Sequence, residues 1–355
     1  MFKKVAFGFA ALAVSAALQS AASIAEDQRV KVTVGAFAAP GSPWDKDWQT
    51  FRQNAEGRSN GAIDIKLLIR GETGGEPVTM SNIRRNRIQF GGFTIGGASA
   101  IVPELSMLLT PFFFENRAEL DYVMDEHLLD VFQPLFAEKN LVLVRWVEVG
   151  WLNFFGKTPI LRPEDARGYA LRSQASEASQ VLMTSLGGDM IQMPFPDLIP
   201  ALQTGLVKGG DTNMVLYGIT GLGKEAPHLT LTQHAYDTGV VVANYKWFSG
   251  LSAADQDTIR NAFPTSDEAR AGVRAMTQSL GAMVQADPDI TVHTLSDEDR
   301  AAWVEATKGN AELIAREVGG RSQMIYDAMV AGRADYRARV AAGTLQATQR
   351  TEGGN

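Results

Sequence analysis

Apolar and polar positions alternate between strand-like and helix-like patterns along the chain. Val30 to Phe37 alternates as a strand, and Asp45 to Ser59 carries apolar residues at helical spacing. Ala62 to Ile69 then alternates as a second strand. Strand, helix, strand is the repeating unit of an α/β lobe, and similar units recur further along. The pattern therefore predicts an α/β fold.

Two extended runs are longer than an ordinary strand. Leu141 to Phe155 and Thr230 to Asn244 each exceed the usual strand length of about 5–6 residues. Two such strands suit a chain of two lobes in which strands cross from one lobe to the other. The cleft between the lobes is then the expected ligand site.

The N-terminus has the layout of a secretory signal peptide. Lys3 and Lys4 precede an apolar run from Val5 to Leu18, and Ser23-Ile24-Ala25 offers the small residues of a cleavage site. The alternative is a membrane anchor, but the run is shorter than the roughly 20 residues that span a bilayer. The sequence predicts a signal peptide at residues 1–25 and a secreted protein.

Composition narrows the possible functions. The chain has no cysteine, which excludes disulfides, thiol catalysis and lipid attachment through an N-terminal cysteine. Loss of Lys3 and Lys4 would lower the formal net charge from −7 to −9. So acidic a chain lacks the basic surface that binds nucleic acid.

The sequence contains no phosphate-binding loop, HExxH helix or GxGxxG fingerprint. The histidines His127, His228, His234 and His293 lack a third ligand at metal-site spacing. We therefore expect no catalytic residues, metal or cofactor. The glycine-rich segment Gly91–Gly97 fits either a close backbone approach to a ligand or a tight turn.

The segment Arg162–Asn213 carries the most specific pattern. It contains a Pro-x-Asp-x-x-Gly-like turn, a strand ending in Arg172, a Pro-Phe pair at Pro194-Phe195 and Ala-Leu-Gln-x-Gly at 201–205. In this order and spacing it resembles the DctP-type solute-binding proteins of TRAP (tripartite ATP-independent periplasmic) transporters. Pro111–Phe114 and the motif at 228–234 are also similar to that family.

The resemblance implies an architecture. It is an α/β periplasmic binding protein of the type II-like class, with two lobes, crossing strands and a long helix bracing both. Thr265 to Ala286 has the helical spacing for that helix. We expect lobe I to comprise 26–147 plus about 239–275, and lobe II to comprise 148–238 plus about 276–335 with the C-terminal helices. Residues 343–355 are expected to form a disordered tail.

The resemblance also implies a function. The protein would capture a small organic acid between the lobes and deliver it to the membrane permease subunits of a TRAP transporter, with Arg172 holding the ligand carboxylate. Planar guanidinium matches a carboxylate through two parallel hydrogen bonds. The full set of expected ligand contacts is Arg172, Trp151, Glu148, Phe195, Thr212, Asn213, Tyr236, Thr94 and Trp44.

Two departures from the family pattern bear on the ligand. Lys208 stands where the family has an aspartate, and Trp151-Leu152 stands where many members have a second arginine. With one cation, and with Glu148 nearby, a monocarboxylate with a neutral or aromatic far end is expected rather than a dicarboxylate. The alternatives are a secreted enzyme on the same scaffold and a periplasmic ligand sensor.

The exported protein should begin at or near Glu26, because the charged start, short apolar run and small-residue end together direct cleavage after Ala25. Intact mass of the exported protein measures this directly. A product that retains residues 1–25 would contradict it.

Overall fold

The computed structural model describes residues 29–345 of the 355-residue chain. The expected signal peptide at 1–25 and residues 346–355 of the expected tail lie outside the described residues. Within them, the strands in chain order are β1 (Val30–Ala36), β2 (Ile63–Leu68), β3 (Phe90–Thr94), β4 (Leu141–Gly156), β5 (Ala170–Ser173), β6 (Asp189–Gln192), β7 (Gly209–Thr212), β8 (His228–Asn244) and β9 (Thr291–Thr294).

The helices fill the connections between strands and the C-terminal part of the chain. In chain order the α-helices are α1 (Pro43–Arg58), α2 (Glu76–Arg84), α3 (Ile95–Ala98), α4 (Arg117–Val123), α5 (Leu129–Glu138), α6 (Glu177–Ser185), α7 (Leu198–Thr204), α8 (Met214–Thr220), α9 (Leu222–Glu225), α10 (Tyr245–Ser249), α11 (Ala253–Arg260), α12 (Ser266–Ala286), α13 (Asp297–Ala306), α14 (Asn310–Val318) and α15 (Ser322–Ala341). Short 3₁₀ turns lie at Pro103–Leu109, Pro163–Ala166 and Phe195–Asp197, and one π-helical turn lies at Met124–Leu128.

One continuous sheet runs through the molecule in the order β2-β1-β3-β8-β4-β7-β5-β6, with β9 beside β8. Strands β1, β2 and β3 are parallel to one another, and so are β5, β6 and β7. Between these two groups lie the antiparallel strands β4 and β8.

The two long strands belong to both groups. The C-terminal half of β8 pairs with β3 through Gly239–Ala243, while its first residues pair with β9. The last residues of β4, Asn153–Gly156, pair with β7. Each strand therefore begins in one α/β unit and ends in the other. This confirms the predicted two-lobed fold with crossing strands.

Each unit has its own apolar core. In the first, the Phe51 ring stacks on Phe263 at 4.3 Å and on Phe90 at 5.2 Å between centroids. In the second, Phe155, Leu202 and other side chains from β4, α7 and β8 form a separate cluster. Full burial of each such side chain contributes about 1.5–3 kcal/mol, so both units are stabilised mainly by packing.

Helix α12 is the brace that the sequence predicts. It begins with a capping box, in which Thr265 and Glu268 exchange side chain and backbone hydrogen bonds. It packs against α1 in the first unit, against α8 in the second and along β4 between them. The last helices, α14 and α15, pack on the 3₁₀ segment Pro103–Leu109, and α15 also contacts α4.

Strand β7 begins at Gly209, and Val207 just before it lies in the apolar core of the second unit. Within the glycine-rich segment Gly91–Gly97, Gly96 and Gly97 lie in helix α3.

The glycine at the start of β7 is required by the sheet. A β-carbon on Gly209 would lie 2.3 Å from the carbonyl oxygen of Phe155 on β4. Gly209→Ala should therefore lower the free energy of unfolding by about 1–3 kcal/mol, measured by urea denaturation.

The matched control is Gly57→Ala, since nothing lies within 4 Å of a β-carbon placed there, in the last turn of α1. It should be neutral or stabilising by up to about 1 kcal/mol. Equal stability of the two variants would contradict this account of β7.

Candidate ligand-binding site

A cavity of about 290 Å³ lies where the two units meet. Its walls come from β1, α1 and β3 of the first unit and from β5 and β7 of the second, and both crossing strands contribute. Among the expected ligand contacts, those that line it are Arg172, Glu148, Phe195, Thr212, Asn213, Thr94 and Trp44.

Arg172 is the buried cation of this cavity. It follows the apolar pair Ala170-Leu171 on β5, and only 6% of it is exposed. Its Nε donates to the carbonyl of Met193 at 3.2 Å, and its guanidinium lies over the Phe195 ring at 5.8 Å. Burial lowers the pKa of Arg172, and the nearby carboxylates oppose that shift.

No carboxylate of the described residues forms an ion pair with Arg172 within 4.0 Å. The negative groups that attract it, Asp211, Glu76 and Asp237, act on it only through space. A guanidinium held by one backbone carbonyl, with no ion pair, is suited to receive an anion.

Glu76 lies at the first position of α2 and faces Thr94 at the end of β3. The backbone nitrogen of Thr94 donates to Glu76 at 2.6 Å, and the Thr94 hydroxyl donates at 2.7 Å. The same hydroxyl accepts from Gly97 at the start of α3. Burial raises the pKa of Glu76, while the Thr94 bonds and Arg172 lower it.

The glycines after β3 serve close packing. A β-carbon on Gly96 would lie 1.9 Å from Oε1 of Gln174, and one on Gly97 would lie 2.2 Å from Oε2 of Glu76. The glycines therefore let α3 approach the cavity wall, where Gln174 also lies.

Asp211 and Asp237 are buried more deeply than Glu76. Asp211, on β7, is 1% exposed and lies 3.4 Å from His234, which also contacts Thr232 at 2.9 Å. Asp237, on β8, is 2% exposed. Burial, together with the charges of Glu76 and Asp211, raises its pKa well above the usual range.

Glu148 lines the cavity, but its carboxylate is already engaged. Its backbone carbonyl accepts from the Trp44 indole at 2.8 Å. Its carboxylate accepts from Nε of Arg274 on α12 at 2.8 Å and from the Tyr236 hydroxyl. Arg274 also bonds Asp121 at 2.8 Å, so the bracing helix is tied to the crossing strand and to α4.

The expectation that Trp151 and Tyr236 face the cavity was wrong. Neither lines it, because both rings lie in the apolar core, where they meet edge to face at 4.7 Å. For Trp151 the reason is a bulge at Gly150, which has φ +124° and interrupts the register of β4 against β8. Tyr236 faces away by ordinary alternation, because its neighbour Asp237 lines the cavity. The bulge changes the alternation, so Val149 and Leu152 reach the cavity instead.

The remaining expected contacts, Phe195, Thr212 and Asn213, lie in different parts of the cavity wall. Phe195 lies on a 3₁₀ turn with its ring 6.2 Å from that of Phe37. Thr212 ends β7, opposite Asn153. Asn213 caps α8, with its Oδ1 accepting from Leu216 at 3.0 Å.

Sequence reasoning missed a second arginine in the cavity wall. Arg145, on β4, donates to the carbonyl of Pro264 at 2.6 Å and lies over the Phe263 ring at 5.4 Å. Burial raises the pKa of the adjacent Asp47 to about 6, and Arg145 opposes that rise. The available signal was a charge within the apolar run Leu141–Val149.

The described residues contain no cluster of three metal-ligating side chains. None of the helices within residues 29–345 is both long enough and apolar enough to cross a bilayer.

Comparison with known proteins identifies the family. Residues 34–316 match the family model DctP, described as bacterial extracellular solute-binding protein, family 7. The chain belongs to this family. Among DctP relatives, a solute-binding protein of Chromohalobacter salexigens is 26% identical over 68% of this chain and 74% of its own length. The ectoine-binding periplasmic protein TeaA of Halomonas elongata is 23% identical over 79% of this chain and 83% of its own.

Solved structures share the fold. The galactonate complex of a sugar acid binding protein from Advenella mimigardefordensis is 22% identical, with a TM-score of 0.80 over 86% of this chain and 99% of that one. A TRAP periplasmic solute-binding protein from Roseobacter denitrificans with bound glucuronate is 22% identical, with a TM-score of 0.79 over the same shares. The predicted resemblance to TRAP solute-binding proteins is confirmed.

Within the DctP fold, the bond between Glu148 and Arg274 should stabilise the contact of α12 with β4. The Glu148 side chain is 2% exposed and that of Arg274 is 29% exposed. Arg274→Ala should lower the free energy of unfolding by about 3 kcal/mol, the low end for a broken buried pair, because Arg274 is partly exposed.

Arg316→Ala is the control, since it removes an arginine whose partner Glu317 is half-exposed. Its cost should stay below about 0.5 kcal/mol in the same denaturation experiment. Similar losses in both variants would mean that the Glu148 pair is no stronger than a surface pair.

Proposed function

We propose that this DctP-family protein is the periplasmic binding component of a TRAP transporter and captures a small organic acid in the cavity between its lobes. The observation that carries the proposal is Arg172, a buried guanidinium with no ion pair within the described residues. A ligand carboxylate is the anion that would complete its hydrogen bonding.

The ligands of similar proteins support this chemistry. The names of relatives and solved structures mention a C4-dicarboxylate, ectoine, galactonate and glucuronate. All of these molecules carry a carboxylate. In a site closed from water, a bidentate pair between arginine and carboxylate is stronger than on a surface, since solvent screening is weaker there.

The proposed cycle depends on movement of the lobes. We place the boundaries where the long strands change partners, near 147/148 on β4 and 238/239 on β8, so that the ligand contacts both lobes and favours the closed form. The closed protein would then deliver its ligand to the membrane permease. Secretion to the periplasm, with residues 1–25 removed, is part of this proposal.

The proposed ligand has one carboxylate rather than two. Neither arginine of the cavity wall has an ion pair within the described residues, but Arg145 donates to the carbonyls of Trp146 and Pro264 and is attracted by Asp47, whereas Arg172 donates to one carbonyl. Leu152, not an arginine, lies in the wall at the family's other basic position. Glu148 is not a source of repulsion for a second carboxylate, contrary to the expectation from the sequence, because Arg274 pairs with it.

We further propose that the ligand is bound without being transformed. Arg172, Thr212 and Asn213 offer hydrogen bonds, and no nucleophile activated by a neighbouring base accompanies them among the described lining residues. Recovery of the ligand chemically unchanged after prolonged incubation is the expected result.

Arg172→Ala should abolish binding, because a carboxylate in the closed cavity would lose the cation proposed to hold it, a loss worth several kcal/mol. Arg172→Lys should also bind poorly, since an ammonium cannot offer two parallel hydrogen bonds. The measurement is a thermal-shift screen of the mature protein with organic acids, followed by calorimetry on the best binder. At 100 times its Kd a ligand adds about 2.7 kcal/mol of stability.

Arg316→Ala, far more exposed, is the control and should bind like the parent protein. Near-parental affinity of Arg172→Ala would remove Arg172 from the site and with it the proposed mode of capture.

A further inference from the structure

We propose that Asp211 and Asp237, with Glu76 beside them, form a subsite for a cationic nitrogen of the ligand. The captured acid would then be a zwitterion, with its carboxylate on Arg172 and its charged nitrogen on the aspartates. The inference rests on the proposed function, because it takes Arg172 as the carboxylate site.

The charges of the cavity wall do not balance. Two of its acids face cations of their own, since Glu148 is paired with Arg274 and Asp47 lies beside Arg145. The remaining charged groups of the described wall are Arg172, Glu76, Asp211 and Asp237. Apart from those two acids and their cations, the described wall therefore holds three carboxylates and one guanidinium.

Histidine does not remove this excess. His234 lies 3.4 Å from Asp211 and, when protonated, would neutralise it. Glu76 and Asp237 would still outnumber Arg172. A simple carboxylate ligand would add another negative charge to a buried site, and such charge must be compensated. A positive nitrogen on the ligand supplies that compensation.

Two buried oxygen atoms lack the donor that such a nitrogen would supply. Oδ1 of Asp211 and Oδ1 of Asp237 are buried without a hydrogen-bond partner, and both side chains line the cavity. A buried acceptor left without a donor costs about 1–3 kcal/mol, and more for a charged group. An ammonium or amidinium offers several donors together with positive charge.

Aromatic side chains elsewhere in the wall can contact either kind of far end, and two of them, Phe195 and Phe263, already lie under Arg172 and Arg145. Trp44, Trp48, Phe93, Phe195 and Phe263 all line the cavity. Aromatic faces attract cations, by about 0.5–2 kcal/mol depending on desolvation. A neutral far end would use these rings for apolar contact, but it would leave both aspartate oxygens unpaired.

Protonation of the buried carboxyl groups is the alternative explanation for the excess of acidic side chains. Burial raises the pKa of Asp237 and of Glu76, so a bound proton can stand in for a cation in the empty protein. Under that alternative, a simple carboxylate would bind as tightly as a zwitterion of the same shape. Comparing the binding of ligands of the same shape distinguishes a cation subsite from protonated carboxyl groups.

The test uses six-membered rings that differ in a single position. Cyclohexanecarboxylate is the simple acid, and pipecolate, nipecotate and isonipecotate place a charged ring nitrogen at increasing distance from the carboxylate. Calorimetry on the mature protein should find at least one amine that binds about tenfold or more tighter than cyclohexanecarboxylate. Failure of all three amines to bind tighter than the simple acid overturns the inference.

The variant Asp237→Asn tests whether the charge of Asp237 binds the amine, since asparagine keeps the shape of the side chain and removes its charge. It should weaken the preferred amine about tenfold or more while leaving cyclohexanecarboxylate binding unchanged or tighter. The control is Glu312→Gln, an exposed acid on α14, which should change neither. Equal losses for both ligands in Asp237→Asn would also contradict the subsite.

The result distinguishes this inference from the function on which it rests. Binding of simple monocarboxylates that depends on Arg172 but disfavours amines would overturn the subsite and leave the proposed function standing. Binding of an amine that is unaffected by Arg172→Ala would overturn the carboxylate site and with it both proposals.

Discussion

A guanidinium buried between two lobes must be balanced by negative charge, and the cavity of this protein is arranged around that constraint. Arg172 is held by a backbone carbonyl and faces Asp211, Asp237 and Glu76 without an ion pair to any of them. Close pairing with its own carboxylates would cancel the attraction for a ligand, whereas their complete absence would leave a buried charge uncompensated. Because these carboxylates attract the arginine without forming an ion pair, the guanidinium stays charged and its hydrogen-bonding edge stays available to a ligand.

The crossing strands determine where this site can lie. β4 and β8 run through both α/β units, so the cavity forms where they change sheet partners. The bulge at Gly150 turns Trp151 into the core. Arg274 ties Glu148 to the long helix α12, which contacts both units. The same helix and strands that join the lobes therefore also set the position of the wall that a ligand would contact.

Much of the fold could be predicted because strand alternation and helical spacing are local properties, and they located β1, α1, β4, β8 and α12 closely. The candidate site could be predicted less well from the sequence. Arg172 gained its meaning from the family resemblance, while Arg145 and Asp237 are single charges within apolar strands, whose partners are distant in sequence. Trp151 was misassigned because one inserted residue in β4 reverses the side that each following residue faces, and Tyr236 because the cavity lies on the side of its neighbour Asp237. No composition or period reveals such a bulge, although a glycine within a strand is its usual sign.

The central claim is that one buried arginine holds the ligand carboxylate between the lobes. The most direct measurement is a crystal structure of the mature protein with its tightest-binding acid. This account predicts two nearly parallel hydrogen bonds of about 2.7–2.9 Å from Arg172 to the carboxylate, with the opposite end of the ligand beside Asp211 and Asp237. A carboxylate bound to Arg145 instead, or a ligand outside the interlobe cavity, would contradict it.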